Sequence, residues 1–213
     1  SVRGEIGTLT IGFFTGGTGT FVPAMIRSFR NQYPGVRISL VDMVPTVQSE
    51  ALMNGTIDVA FTRPLDPPFH QHLRSELLYL DPLIAVLPKD HRLAKGPVDI
   101  RDLAGERFVL CAREISSAVF DKIISLCSEA GFSPDIVTTS RVWSSVVMLV
   151  QAGEGIALLP SNLQQRGARD LAFCQLKSAA AGIGLMMAWH PNRLGPIQKA
   201  FLDLVRKNRP RSK

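Results

Sequence analysis

Three arginines beside hydroxyl side chains are the residues of this chain best suited to chemistry. Arg63 closes residues 50–63, EALMNGTIDVAFTR. Arg113 stands shortly before Ser116 and Ser117, and Arg141 shortly before Trp143, Ser144 and Ser145. A guanidinium presents a planar fork of N–H donors that grips a carboxylate at two points, which an ammonium cannot do. A second constellation is Thr15-Gly16-Gly17-Thr18-Gly19-Thr20. Unclaimed backbone N–H groups at a helix start, with threonine hydroxyls beside them, form an anion site. A glycine-permitted turn with a threonine cap accounts for the same residues. The loop is not a phosphate-binding P-loop, because no Gly-Lys-Ser/Thr follows. Its glycines fall at 16, 17 and 19, off the dinucleotide fingerprint. Pro45-Thr46 marks another helix start. Phe61, Ile115, Val119, Val142 and Trp143 would give such a site an apolar wall; each equally suits a core. Each arginine alone also suits a surface ion pair. Taken together, the mixture fits a small carboxylate with an apolar or aromatic body.

Other chemistries find little support. The sequence holds no GxSxG elbow, no HExxH and no placed carboxylate pair, so no catalytic residue is expected. Cys111, Cys127 and Cys174 are far apart and odd in number, which excludes a CxxC knuckle and a disulfide framework. Cys111 and Cys127 read as small core residues, and free thiols favour a reducing compartment, hence a cytoplasmic protein. His70-Gln71-His72 has no third ligand nearby and reads as an exposed loop, so neither metal nor cofactor is expected. The net charge of +6 invites a nucleic-acid reading, but Arg206, Lys207, Arg209, Arg211 and Lys213 supply five of those charges. That cluster reads as a solvated tail. No apolar run reaches the length of a membrane span, since Asp81 and Pro82 interrupt the longest candidate.

The elements that must carry these residues follow from periodicity. Leu9, Ile11 and Phe13 alternate with threonines as a first strand. Val22, Met25, Ile26, Phe29 and Tyr33 form one helical stripe, stopped by Pro34-Gly35. A second strand (36–40), a helix (46–54) stopped by Gly55, and a third strand (57–61) complete a βαβαβ order, which implies a parallel sheet. An extended run (77–87) leads to a second α/β cycle: strand 107–111, helix 118–130, strand 136–138 and helix 143–151. Strands 156–159, 172–176 and 182–189 follow, and Ile197, Ala200, Phe201, Leu204 and Val205 mark a last amphipathic helix.

Five motifs resemble one family. They are Gly7-x-Leu9-x-Ile11-Gly12; Phe29-x-x-x-Tyr33-Pro34-x-Val36; Leu52 to Ala60 around Gly55 and Asp58; Val86-Leu87-Pro88-x-x-His91-x-Leu93-Ala94; and Ala152-Gly153-x-Gly155-Ile156-Ala157-Leu158-Leu159-Pro160. In order and spacing they resemble the effector-binding domain of LysR-type transcriptional regulators, nearest the branch that controls aromatic and chloroaromatic catabolism. The chain departs from muconate-binding members of that branch at Gly16 and Pro45, where hydroxyl residues are usual, with Thr15 and Thr46 adjacent.

The resemblance implies an α/β chain of two Rossmann-like lobes in the type II periplasmic-binding-protein fold. Lobe I would comprise residues 1–84 and 190–213, and lobe II residues 85–189. It implies a small, aromatic or unsaturated organic-acid effector held between the lobes by Thr15, Gly16, Gly17, Thr18, Thr46, Phe61, Arg63, Arg113, Ser116, Ser117, Val119, Arg141 and Trp143. It also implies self-association as a dimer, or a tetramer in the full-length protein. In that dimer residues 20–33 of one chain face residues 118–130 of the other. Operator DNA would be met only through an N-terminal winged helix-turn-helix absent from this chain. The rivals are a periplasmic solute receptor of the same fold, which the unpaired cysteines disfavour, and an enzyme on that fold.

Overall fold

A computed structural model describes residues 6–165 and 168–210. In chain order it contains β1 (Gly7–Phe13), α1 (Phe21–Gln32), β2 (Val36–Asp42), α2 (Pro45–Asn54), β3 (Val59–Thr62), α3 (Phe69–His72) and β4 (Arg74–Pro88). These are followed by β5 (Arg107–Cys111), α4 (Ser117–Glu129), β6 (Asp135–Ser140), α5 (Trp143–Gln151), β7 (Ala157–Pro160), β8 (Leu171–Gln175), β9 (Gly182–Trp189) and α6 (Pro196–Asn208). The chain separates into two compact units, Ser1–Leu80 with Gly184–Lys213, and Asp81–Ile183. The separation falls within β4 and β9.

In the first unit β1 lies between β2 and β3, parallel to both, and β9 adds antiparallel to β3. Successive residues of a strand face opposite sides, so Phe61 and Ala60 serve two different cores. On one side Leu9, Ile11, Val59 and Phe61 meet Val22, Met25 and Phe29 of α1 and Phe201 and Val205 of α6. Phe201 stands edge-on to both Phe29 and Phe61, with ring centroids 5.2 and 6.0 Å apart. On the other side Ala60 and Ile57 meet Ala51 and Leu52 of α2.

The third strand begins two residues later than its apolar pattern predicts. The Ile57 N–H instead closes the end of α2 on the Ala51 carbonyl. Asp58 brackets Thr10, its own N–H donating to the Thr10 carbonyl while its carboxylate accepts from the Thr10 N–H at 2.8 Å. Gly55, at φ +78°, ends α2 in the left-handed conformation that glycine reaches without a Cβ clash. His70 and His72 sit on the helical turn α3, exposed, where a plain loop was expected. Arg206 also departs from its expectation as part of a solvated tail. It lies on α6 over the Trp189 ring and pairs with Glu76 and Asp203. Glu76, the first of these partners, holds its pKa above the ordinary arginine value. Arg211 and Lys213 lie outside the described residues.

In the second unit β4 runs antiparallel to β7 and to β8, while β5 and β6 form a parallel pair. A bridge between Phe108 and Ile156 ties β5 beside β7. The core beneath α4 gathers Val119, Ile123, Leu126 and Cys127 against Leu83, Ala85, Phe108 and Leu110. All three cysteines are buried and unbridged. Burial pushes the Cys111 and Cys127 thiols up to about 12 and about 11.

Candidate functional site

Parallel strands leave one edge where strands end and helices begin, and open α/β folds bind ligands there. Each unit has such an edge, and the expected site residues divide between them.

In the first unit Phe13 and Asp42 are paired at the ends of β1 and β2. The loop of Thr15 to Thr18 and the first turn of α2, which holds Thr46, therefore leave the sheet at the same edge. Arg63 follows β3 at the same edge, but it does not present a free guanidinium to solvent. It is 2% exposed, and its two terminal nitrogens donate to the carbonyls of Gly16 and Gly184 at 3.3 Å each. The guanidinium carbon lies 5.2 Å from the centre of the Phe14 ring.

Tyr79, which carried no signal in the sequence, donates its hydroxyl to the Gly17 carbonyl at 2.7 Å. A Cβ on Gly17 would stand 2.2 Å from the Phe14 ring and 3.2 Å from Arg63. The glycine-rich loop is thus held by an arginine and a tyrosine, and the missing side chain of Gly17 leaves room for Phe14 and Arg63. Phe61 is corrected from ligand wall to core: it is fully buried against Phe201.

In the second unit β5 and β6 end together at Cys111 and Ser140. Arg113 and Arg141 follow those ends, and the starts of α4 and α5 lie beside them. Both arginines are exposed and already paired. Arg113 grips Asp121 at two points, 2.8 and 2.7 Å, and Arg141 meets Glu114 at 2.7 Å. Ser116 is 5% exposed and occupies the cap position of α4. Its hydroxyl makes no capping hydrogen bond, and its Oγ has no partner among the described residues. A serine at a helix start usually accepts from the second or third N–H of the helix, so an uncommitted hydroxyl there is unusual. Ser117 is buried in the first turn, and Trp143 is half-buried at the start of α5. Val119 is corrected as Phe61 was: at 2% exposure it packs beneath α4 in the core of its unit.

Gln48 and Asp81 are among the buried polar residues whose surroundings sequence reading did not foresee. Gln48, in α2, is fully buried; its amide donates to the Met43 carbonyl at 3.1 Å, while Oε1 has no partner among the described residues. Asp81 is 1% exposed and accepts from Ser161 Oγ at 2.8 Å and Asn162 Nδ2 at 3.1 Å. The signal was available: a lone aspartate inside an apolar strand needs a partner. Among the described residues no group of three or more His, Cys, Asp and Glu side chains is arranged to hold a metal.

Two units of this topology, with their strand-end edges, define an α/β protein of the type II periplasmic-binding-protein fold. The LysR substrate binding domain family matches residues 3–210, so the chain belongs to that family, the effector-sensing part of LysR-type transcriptional regulators. The HTH-type transcriptional regulator AlsR of Bacillus subtilis (strain 168) is 30% identical over 214 residues, covering 100% of this chain and 70% of that protein. The HTH-type transcriptional regulator CatR of Pseudomonas putida is 32% identical over 205 residues, covering 95% of this chain and 69% of that protein. Among solved structures, the BenM effector binding domain with its effector benzoate superimposes with a TM-score of 0.80. It is 25% identical and covers 96% of this chain and 93% of that one. No helix among the described residues is long and apolar enough to cross a membrane.

Proposed function

We propose that this chain senses a small organic acid for a LysR-type regulator of aromatic metabolism. Recognition would come from the strand-end edges described above. The observation that carries this reading is the start of α4, where the buried Ser116 hydroxyl is uncommitted beside the positive end of a 13-residue helix. In the first unit Thr15, Gly16, Thr18 and Thr46 supply polar groups at its own strand-end edge. Benzoate, the effector in the BenM structure, supports an aromatic acid as the chemical class.

Arg113 and Arg141 would take part by exchanging Asp121 and Glu114 for the effector's carboxylate. Exposed ion pairs contribute only ~0–1 kcal/mol, so that exchange costs little. Arg63 acts differently, as the internal support of the Gly16-Gly17 loop. Operator binding belongs to a separate winged helix-turn-helix, self-association to this domain, and the cytoplasm is the place of action. An effector shifts the regulator only by its differential affinity for two forms.

A thermal-shift screen over benzoate, muconates and dicarboxylates tests the reading. An acid at a hundred times its dissociation constant should stabilise the domain by about 2.7 kcal/mol. Ser116→Ala should abolish most of that shift while the unliganded midpoint stays near its original value. If every acid in the panel leaves the midpoint unmoved, or Ser116→Ala responds fully, the proposal fails. Sedimentation of the same protein tests self-association: a strict monomer at high concentration refutes it.

A further inference from the structure

The second unit contains a cavity apart from the edge that carries Arg113, Ser116 and Arg141. Its volume is about 560 Å³, within the ~300–1,000 Å³ range of small-molecule pockets. Ile84 of β4, Phe173 of β8 and Leu176 give it an apolar surface, and Ser161, Gln164 and Gln175 give it polar groups. Among the described residues none of its lining side chains is charged.

The neighbouring carboxyl group does not change that. Asp81 is 1% exposed, and both of its oxygens accept hydrogen bonds, from Ser161 and Asn162. Because the Ser161 hydroxyl gives its proton to Asp81, it can only accept from a ligand. The two glutamines offer both donors and acceptors. A carboxylate entering here would lose hydration without meeting a cation, which is unfavourable. An uncharged molecule with a flat apolar body and one N–H or O–H donor meets every requirement.

We propose that this cavity is a second small-molecule site, selective for uncharged aromatic amides or phenols and independent of acid recognition. Its selectivity is opposite to that expected of the acid-sensing edge, because the described lining residues offer hydrogen bonds and no charge.

The test uses benzamide and benzoate as probes of matched shape and different charge, titrated into the isotope-labelled protein and followed by amide NMR. Saturable benzamide shifts at Ile84, Phe173 and Gln175, with benzoate leaving those amides unmoved, are the expected result. Gln175→Leu, a change at an exposed position, should weaken benzamide about five-fold, the scale of one lost hydrogen bond. Phe173→Ala should weaken it further. The proposal is overturned if benzamide produces no saturable shift there up to its solubility limit. It is also overturned if benzoate shifts the same amides equally, or if Gln175→Leu and Phe173→Ala both bind unchanged. A loss of acid sensing elsewhere on the protein would not move these amides, so the two readings fail separately.

Discussion

The two strand-end edges use arginine in opposite ways. In the first unit Arg63 is 2% exposed and holds backbone carbonyls of Gly16 and Gly184. In the second unit Arg113 and Arg141 have side chains 59% and 69% exposed and face Asp121 and Glu114. All three follow a parallel strand, and in sequence they look alike. The first edge therefore has a fixed shape, since its loop is braced from beneath. The second edge has an adjustable charge pattern, since surface ion pairs exchange easily.

The comparison breaks most visibly at Arg63. Arg63→Met keeps length and apolar contact but removes both hydrogen bonds to carbonyls, stranding the buried acceptor of Gly184 and the partly buried one of Gly16. Hydrogen bonds from a charged group contribute ~1.5–3 kcal/mol each at good geometry. At 3.3 Å these are long, so a combined loss of ~2–4 kcal/mol is expected. Denaturant unfolding of the domain would measure it. A loss under ~1 kcal/mol would mean that Arg63 is not structural and return it to the ligand-contact group.

Asp81 offers a second contrast, because among the described residues it is the deeply buried carboxyl group of the second unit. Asp81→Asn replaces one of the two acceptor oxygens by an NH₂, which then faces one of the two donors, Ser161 or Asn162. A destabilisation of ~1–3 kcal/mol is expected, the scale of an unsatisfied buried polar group. An unchanged unfolding midpoint would show that the Ser161-Asn162 turn holds without it. Gly17→Ala probes the first edge by size alone. Its methyl would meet the Phe14 ring at 2.2 Å, and overpacking of this kind costs ~1–3 kcal/mol. Phe14→Leu in the same chain should recover part of that loss; no recovery would place the strain elsewhere.

What sequence reading caught and missed follows from range. Gly55, the stripe from Val22 to Tyr33 and the alternation around Ile11 are local signals, and the structure places a helix stop, a helix and a strand there. The motif series likewise located the family, since it depends on order and spacing along the chain. Side-chain direction at the ends of strands is not local. Phe61 and Val119 were expected on a ligand wall, yet strand alternation in one case and the inner face of α4 in the other turned them to the core. The hydrogen bond of buried Arg63 reaches Gly184, 121 residues away, and Tyr79 meets the same loop from 62 residues beyond Gly17. No spacing rule along the chain could join these.

The smallest expected effect lies at the second edge. Arg113→Ala removes a two-point ion pair with Asp121, yet the pair is half or more exposed on both sides. Solvent screens such pairs, and double-mutant measurements on similar ones give ~0.2–1 kcal/mol. The loss should therefore be under ~1 kcal/mol at low salt and shrink further near 1 M salt, where the screening length falls to ~3 Å. Acid recognition offers a larger readout than stability. If Arg113 exchanges Asp121 for an effector, Asp121→Asn should raise affinity for the acid that binds, because the competing carboxylate is gone, while Arg113→Ala lowers it. Both changes in the same direction, or neither, would leave Arg113 as surface charge. Recognition at the second edge would then fall to Ser116 and the start of α4 alone.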